Sequence, residues 1–517
     1  MHFVSKKQPG FTIVELLIVI VVIGILAAVS IIAFNGVQRT ASSALLQKDL
    51  RNAAEFTKLA EVNSGSFPTD LTAFTKSETT DLEYTEYGST FCITVSSDGA
   101  QTSYFYDSAA GAIAEGTCPD HIGYVGGAPS GPDPATSWAS ISVHGFHKCG
   151  IVDGQAYCWG GPPSTNPFNG LGNGMSGGQD LPGPVITSGV LSGKTIEHIA
   201  AGSGGYTCAI ADGEAYCWGS NTSGRLGRSL TTSTNTPDKV SVAGVLAGKT
   251  LTSISAGGTH VCTLADGDAF CWGRGTDGAL GRGFIGDSNL PVAVVMNGAL
   301  NGLSISKIVT GSSHTCAIAN GQAFCWGSGT SGRLGTGNTT QQTAPVAVST
   351  SGVLAGRTIT DITAGDSYTC ALADGQAFCW GFGGAGRLGD GFTTDRTSPV
   401  AVRTDGVLNG VTLDKIVAGA GTTCALSGNR LFCWGSGGFG VFGNGTTTSS
   451  VNPIEIPLEA VLDGRDIVDI ASPHNSNCII VSDGQAYCWG YNRTSYSLGT
   501  GSIGDVLTPE LLIAPWL

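Results

Sequence analysis

Apolar residues change their spacing several times along this chain, and each change marks a different element. From Phe11 to Phe34 an apolar run of 24 residues is broken by Thr12, Glu15 and Ser30. As a helix it would span roughly 36 Å, enough to cross a bilayer. Past Asn35 a polar face opens, with Leu45, Leu46, Leu50, Ala53, Ala54, Phe56 and Leu59 at helical spacing to about Val62. One helix over 11–62 is predicted, ended by Ser64-Gly65-Ser66-Phe67-Pro68. Alternating segments at Thr90–Ser96 and Thr102–Tyr106 predict strands of a small β head over 63–120. Residues 121–137, HIGYVGGAPSGPDPATS, are rich in Gly and Pro and read as a linker.

From residue 138 to 517 one unit recurs. Cys-Trp-Gly appears at Cys158, Cys217, Cys271, Cys325, Cys379, Cys433 and Cys488. Each is preceded by another cysteine: Cys149, Cys208, Cys262, Cys316, Cys370, Cys424 and Cys478. These first cysteines are separated by 59 and then five times by 54 residues, the mark of a repeat architecture. Within CAIANGQAFC, Asn320-Gly321 is a two-residue type I′ hairpin signal, so Ala319 faces Gln322 and Cys316 faces Cys325. Alternation outward from the turn puts the cysteines at a closely spaced pair without ladder hydrogen bonds, where a cross-strand disulfide fits. The same count holds at Asp153-Gly154, Asp212-Gly213, Asp266-Gly267, Asp374-Gly375 and Gly428-Asn429. Cys478 to Cys488 has one extra residue, and Ser482-Asp483-Gly484 predicts a three-residue loop with a bulge. Zinc is the competing use of so many cysteines, but its ligand pairs sit two to four residues apart, unlike these.

Each unit offers four strands; in the fourth these are Ser304–Val309, Thr315–Ala319, Gln322–Trp326 and Pro345–Val348. The hairpin is apolar on both faces, Cys316, Ile318, Ala323 and Cys325 on one and Ala317, Phe324 and Trp326 on the other. Such a sheet must be sandwiched, and seven sandwiched sheets arranged radially make an all-β propeller. The sequence Trp-Gly-(x4)-Gly-Arg-Leu-Gly at Trp218 to Gly227 resembles the regulator of chromosome condensation repeat. Members of that family act in guanine-nucleotide exchange, in chromatin contact and, in bacteria, in inhibition of a secreted β-lactamase; none of these transfers residue by residue. The first unit begins near Trp138 and the last ends near Trp516, so seven complete units would close by packing alone.

The start of the chain carries a different signal. Lys6-Lys7-Gln8-Pro9-Gly10 precedes the apolar run, and the lysines hold this end on the cytoplasmic side. Gly10-Phe11-Thr12-Ile13-Val14-Glu15-Leu16-Leu17 closely resembles the leader and helix start of type IV pilins and pseudopilins. The resemblance implies a leader over 1–10, prepilin peptidase cleavage after Gly10, N-methylation of Phe11 and a pilin-like domain over 11–120. It also implies that Glu15 pairs with the terminal amine of a neighbouring pilin subunit during filament assembly, since a carboxylate in an apolar helix needs a partner. Pilins close a C-terminal loop with a disulfide, which implies a Cys92–Cys118 pair. Typical pilins end near residue 120, and this chain does not.

Glycine supplies 79 of 517 residues, about twice the usual share, and Asp, Glu, Lys and Arg make only 12%. The net charge of -14 and the absence of any Lys/Arg run longer than Lys6-Lys7 exclude nucleic acid as a partner. No cofactor or metal set is apparent. Two before each first cysteine stand His147, Tyr206, His260, His314, Tyr368, Thr422 and Ser476, which would either line one mouth of the ring or bond the neighbouring loop. The seven Cys-Trp-Gly tryptophans are assigned to packing between blades rather than to a sugar-binding ring. Ser304-Ile305-Ser306-Lys307 offers a Ser-x-x-Lys pair without a second motif, so no enzyme is expected. The longer first unit, Gly161-Pro162-Pro163-Ser164-Thr165-Asn166-Pro167, points to a binding loop. The expected function is a minor or tip pilin, in the cytoplasmic membrane as a precursor and then on an extracellular filament or cell surface, displaying the propeller to a protein or glycan ligand. A structural filament coat and a secretion pseudopilin or surface inhibitor are the alternatives.

Overall fold

The computed structural model describes residues 137–161, 170–472, 475–492 and 498–513, residues 146 and 503 excepted, with four strands and Leu50, Ala53, Thr57 and Leu71 nearer the N-terminus. The chain divides into two units within the predicted linker, the second running Pro132–Trp516. In the first unit, β1 (Asp81–Glu86), β2 (Phe91–Ser96), β3 (Tyr104–Asp107) and β4 (Ala112–Glu115) pair antiparallel in that order. Two of these strands follow the predicted segments. Asp81–Glu86 and Ala112–Glu115 were not expected, because acids and alanines leave them little apolar alternation to read. Phe91 to Val95 are buried, and Cys92 is disulfide-bonded. Leu50, Ala53 and Thr57 are helical and buried, with Thr57 Oγ1 donating to Ala53 O at 2.9 Å. The rest of the predicted 11–62 helix, with Gly10, Phe11, Glu15 and Cys118, lies outside the described residues. Among the described residues no helix is long and apolar enough to cross a membrane.

The second unit is a ring of seven four-stranded antiparallel sheets. The blades span 138–184, 196–239, 251–293, 305–347, 359–401, 415–456 and 467–511, and each uses its strands in chain order. Among the described residues no strand is exchanged between the first and last blades, so the ring closes by packing. Trp138 N–H donates to Gly484 O at 3.0 Å across that closure, and Trp138, Val152 and Trp159 share a core with Cys478, Ile480 and Cys488 of the last blade. The Trp138 ring lies over Gly150, where an added Cβ would stand 2.5 Å from it. The other blades place a larger residue there, such as Ala317 or Ile479.

The predicted sandwich is present throughout the ring. In the fourth blade Cys316, Ile318, Ala323 and Cys325 pack against Ala371, Ala373, Phe378 and Trp380 of the fifth. Its other face, Ala317, Ala319, Phe324 and Trp326, packs against Cys262, Leu264, Ala269 and Cys271 of the third. The disulfide face of each blade thus meets the aromatic face of the next. Cys316 is opposite Cys325 in register, and their Cα atoms are 4.1 Å apart within a disulfide. The other six hairpins carry the pairs Cys149–Cys158, Cys208–Cys217, Cys262–Cys271, Cys370–Cys379, Cys424–Cys433 and Cys478–Cys488. Asn320 and Gly321 take φ of 50° and 70°, as a type I′ turn requires. The sixth turn departs from the others: Gly428 has φ 52° whereas Asn429 is not in the left-handed region, yet the register is unchanged.

The innermost strands are tied to one another by side chains. Ser142 Oγ accepts from Ala201 N–H at 2.9 Å, Ser255 Oγ from Thr310 N–H at 3.0 Å, and Thr363 Oγ1 from Ala418 N–H at 3.1 Å. Lys307 pairs with Asp361 and Lys415 with Asp469 across other blade boundaries. At the rim every outer strand holds a proline, Pro182, Pro237, Pro291, Pro345, Pro399, Pro453 or Pro509, a residue with no N–H to offer an added strand. Replacing one covalent staple, Cys316→Ser with Cys325→Ser, is expected to lower stability by about 2 to 3 kcal/mol in the loop-entropy picture. Urea unfolding monitored by tryptophan fluorescence measures this; an unchanged midpoint would show that packing alone holds the hairpin.

Candidate interaction face

The ring of residues two before each first cysteine does not line a mouth: His147, Tyr206, His260, His314 and Tyr368 are fully buried, and Thr422 and Ser476 nearly so. His260 Nε2 lies 2.7 Å from Thr315 Oγ1 of the next blade, and that hydroxyl donates to Ala279 O at 2.9 Å. A hydroxyl has one proton, so Thr315 accepts from the histidine, which must carry its proton on Nε2. Trp326 Nε1 donates to the same Ala279 carbonyl at 2.9 Å. His147 with Thr207 and Trp218 on Gly170 O, and His314 with Thr369 and Trp380 on Arg333 O, repeat the arrangement. Tyrosine serves in two other blades, Tyr206 OH donating to Gly257 O at 2.9 Å and Tyr368 OH to Thr422 O at 2.7 Å. The tryptophans of blades two to seven are therefore latches between blades, and all seven, Trp159 included, are buried and present no sugar-stacking surface.

Other sequence candidates also resolve into structure. Ser304 and Ser306 are exposed, and Lys307 is held by Asp361, which leaves no free amine to act as a base. Residues 162–169, the bulk of the longer first-unit loop, lie outside the described residues. Among the described residues no group of three His, Cys, Asp or Glu is arranged to hold a metal. A central channel of about 290 Å³ is walled by the innermost strands, with Ala200, Ala256, Thr310 and Thr363 among its lining and Asp366 as its sole acid. Of its hydroxyls, Ser142, Ser255 and Thr363 accept backbone N–H groups of the next blade.

The two ends of the ring differ in chemistry. One end carries the hairpin turns and the connections between blades, which hold ten acidic and five basic residues. Several are paired, as Lys249 with Asp266 at 2.9 Å and Arg465 with Asp483 at 2.6 Å. The propeller's first and last strands both attach at this end, through Trp138 N–H to Gly484 O and Leu512 N–H to Ala486 O at 2.8 Å. The opposite end carries the loops from first to second and from third to outer strands, with six arginines against six aspartates among the described residues.

At that loop end one repeat position stands out. Four residues past the leucine of each Leu-Gly pair, or past Phe442 in the sixth blade, the chain has Met175, Leu230, Phe284, Asn338, Phe392, Thr446 and Ser502. Met175, Leu230, Phe284 and Phe392 are 59 to 61% exposed, and Ile285 beside Phe284 is 59% exposed. The preceding glycine is pinned to the outer strand of the next blade: Gly174 N–H to Asn235 O at 2.9 Å, Gly283 N–H to Thr343 O at 2.8 Å and Gly391 N–H to Val451 O at 3.1 Å. Arg282 lies over the Phe284 ring at 4.3 Å and donates to Gly286 O at 2.7 Å. Sequence reasoning passed over these residues because they sit in stretches read as loops; the signal was a large apolar residue preceded by glycine or serine at one register of four repeats.

Comparison with known proteins places the two signals. The prokaryotic N-terminal methylation motif matches residues 5–31, and the regulator of chromosome condensation (RCC1) repeat matches residues 212–264, 266–318, 320–372 and 374–426. The Arabidopsis thaliana ultraviolet-B receptor UVR8 is 27% identical over 381 residues, covering 72% of this chain and 81% of UVR8. The human E3 ubiquitin-protein ligase HERC2 is 31% identical over 311 residues, 59% of this chain but only 6% of HERC2. Among solved structures, human WBSCR16 aligns with a TM-score of 0.58 at 20% identity, covering 69% of this chain and 89% of that one. Prp20p from Saccharomyces cerevisiae, described with its binding to Gsp1p and histones, gives 0.54 at 20% identity, covering 65% and 80%. At these identities the structures establish the fold.

Burial pushes His147 down to about 3, helped by Lys148, and His260 down to about 4; His314 is also held well below its usual value by burial, then by Arg333 and His260. Their Nδ1 atoms are buried without a partner, so protonation would strand a charge. The unfolded chain takes up these protons near the usual pKa of about 6.5 and the folded chain does not, so the histidine contribution to stability is full above that pH and is lost as pH drops toward 4. Between pH 6.5 and 4.5 each histidine should cost about 1.4 kcal/mol per pH unit. His260→Tyr, copying the second and fifth blades, is expected to remove about a third of that slope in denaturant unfolding at stepped pH. An unaltered slope would show that other groups set the acid limit.

Proposed function

We propose that this chain, carrying a prokaryotic N-terminal methylation motif and regulator of chromosome condensation repeats, is a minor or tip pilin-like protein that displays its propeller for adhesion or partner binding. The observation that carries the reading is the joining of the two signals in one chain. An export and filament-assembly motif over 5–31 precedes a ring whose seven hairpins are each closed by a disulfide. Disulfides persist in oxidising compartments, outside the cytosol. Glu15 then serves filament assembly, prepilin peptidase is the processing partner, and other pilin subunits are the neighbours.

The protein acts by binding and not by catalysis. Its repeated polar residues are spent on blade-to-blade bonds, which leaves variable loops as the means of recognition. Size favours a rare or terminal subunit over a coat. A 380-residue body has a radius of gyration of about 21 Å against about 13 Å for a 110-residue one, too wide for every subunit of a dense filament. Nucleotide exchange and chromatin contact would need an intracellular partner, which an exported chain does not meet.

Filaments sheared from cells making the protein provide the test. Intact mass should begin at methylated Phe11 and rise by about 16 Da when all sixteen cysteines are reduced, one hydrogen per thiol. Retention of residues 1–10 with the protein confined to the membrane fraction would overturn filament display. If the mass holds but deletion of the chain's gene leaves cell attachment unaltered, the adhesive role falls and the exported location stands.

A further inference from the structure

We propose that the loop end of the propeller docks peripherally on an anionic lipid bilayer, inserting Met175, Leu230, Phe284, Ile285 and Phe392 at the headgroup boundary. The argument starts from the ring itself. Equivalent positions of a closed, evenly repeated ring lie on one circle and therefore in one plane. Met175, Leu230, Phe284 and Phe392 occupy one such position in blades one, two, three and five, with matching exposure of 59 to 61%. A flat surface can touch all of them at once.

Their separation also selects the partner. Each side chain offers roughly 100 Å² of apolar surface, scattered round an arc and not joined into the roughly 800 Å² a stable protein interface needs on each side. Interfacial insertion needs no complementary pocket, only apolar tips backed by polar and basic groups. The tips are rigid, since the glycines before Met175, Phe284 and Phe392 are bonded to the next blade, so little ordering entropy is lost on docking.

Charge gives the lipid class and the orientation. In the third-to-outer loops of blades two and three Arg225 is buried, Arg228 pairs with Asp238 and Arg274 with Asp277, so Arg282 is the cation at the tips, while the turn end carries the excess of acids. Arg282 lies at 4.3 Å over Phe284, so a cation sits beside the most prominent tip, where anionic headgroups would meet it. The acidic turn end would be repelled, which points the loop end at the membrane. Asn338, Thr446 and Ser502 occupy the same position in blades four, six and seven, so contact is one-sided and centred on blades one to three.

This inference names the chemistry of the partner within the proposed role, but its observations lie in the propeller alone and do not depend on export. The test uses the full chain reconstituted into density-loaded phosphatidylcholine vesicles, mixed with fluorescent vesicles of phosphatidylglycerol and phosphatidylcholine in equal amounts. Wild type is expected to co-sediment the fluorescent vesicles, and Phe284→Ser with Ile285→Ser and Phe392→Ser to reduce capture by about tenfold. Val190→Ser with Val353→Ser, at the turn end, should leave capture unaltered, and matched thermal melts of all variants show that folding is not the cause. Capture no greater than that of protein-free vesicles, or capture unaffected by the triple substitution, would overturn the proposal. So would binding seen only with protein-bearing cell membranes, which would assign the tips to a protein pocket. Lost vesicle capture with attachment of whole cells intact would sink the lipid inference and leave surface display standing.

Discussion

A β-hairpin that is apolar on both faces has no stable position except between two others, and this constraint organises the propeller. Cys316, Ile318, Ala323 and Cys325 on one face and Ala317, Phe324 and Trp326 on the other each need a cover. The covers come from the neighbouring blades, which have the same need. Satisfying it seven times produces a ring with no free apolar face left at the closure, so strand exchange between the first and last blades is unnecessary. Trp138 and Gly150 adapt that last junction.

Packing blades this closely buries polar groups, and the structure meets that cost locally. The carbonyls of Ala279, Gly170 and Arg333 each receive a tryptophan N–H and a threonine hydroxyl from the following blade. A histidine of the same blade as the carbonyl then donates to that hydroxyl. The network explains why the most repeated polar and aromatic residues are unavailable for recognition. Conservation of register within the chain here reports assembly of the ring, and variation between repeats is where recognition is to be sought.

The variable positions are not scattered at random over the surface. The turn end repeats an Asp-Gly corner and is acidic, while the loop end varies in both charge and apolar character. Because a ring converts one repeat position into one circle, a substitution in several repeats becomes a planar feature. Met175, Leu230, Phe284 and Phe392 form such a feature, and rim prolines prevent the outer strands from competing with it by edge pairing.

Much of this was legible in the residues. The hairpin register, the seven cysteine pairs and the two-faced sheets followed from Asn-Gly and Asp-Gly turns and from period two, because these depend on neighbours within about ten residues. The regular 54-residue spacing then implied a closed repeat. What lay beyond reach were facts about partners distant in the chain. Whether His260 opens to a channel or bonds Thr315, 55 residues on, depends on how blades stack. Whether Phe284 is core or tip depends on a glycine bonded to Thr343, 60 residues away. Local periodicity tells which residues share a face; only the stacked ring decides which face is covered, because burial is set by what comes to rest against it.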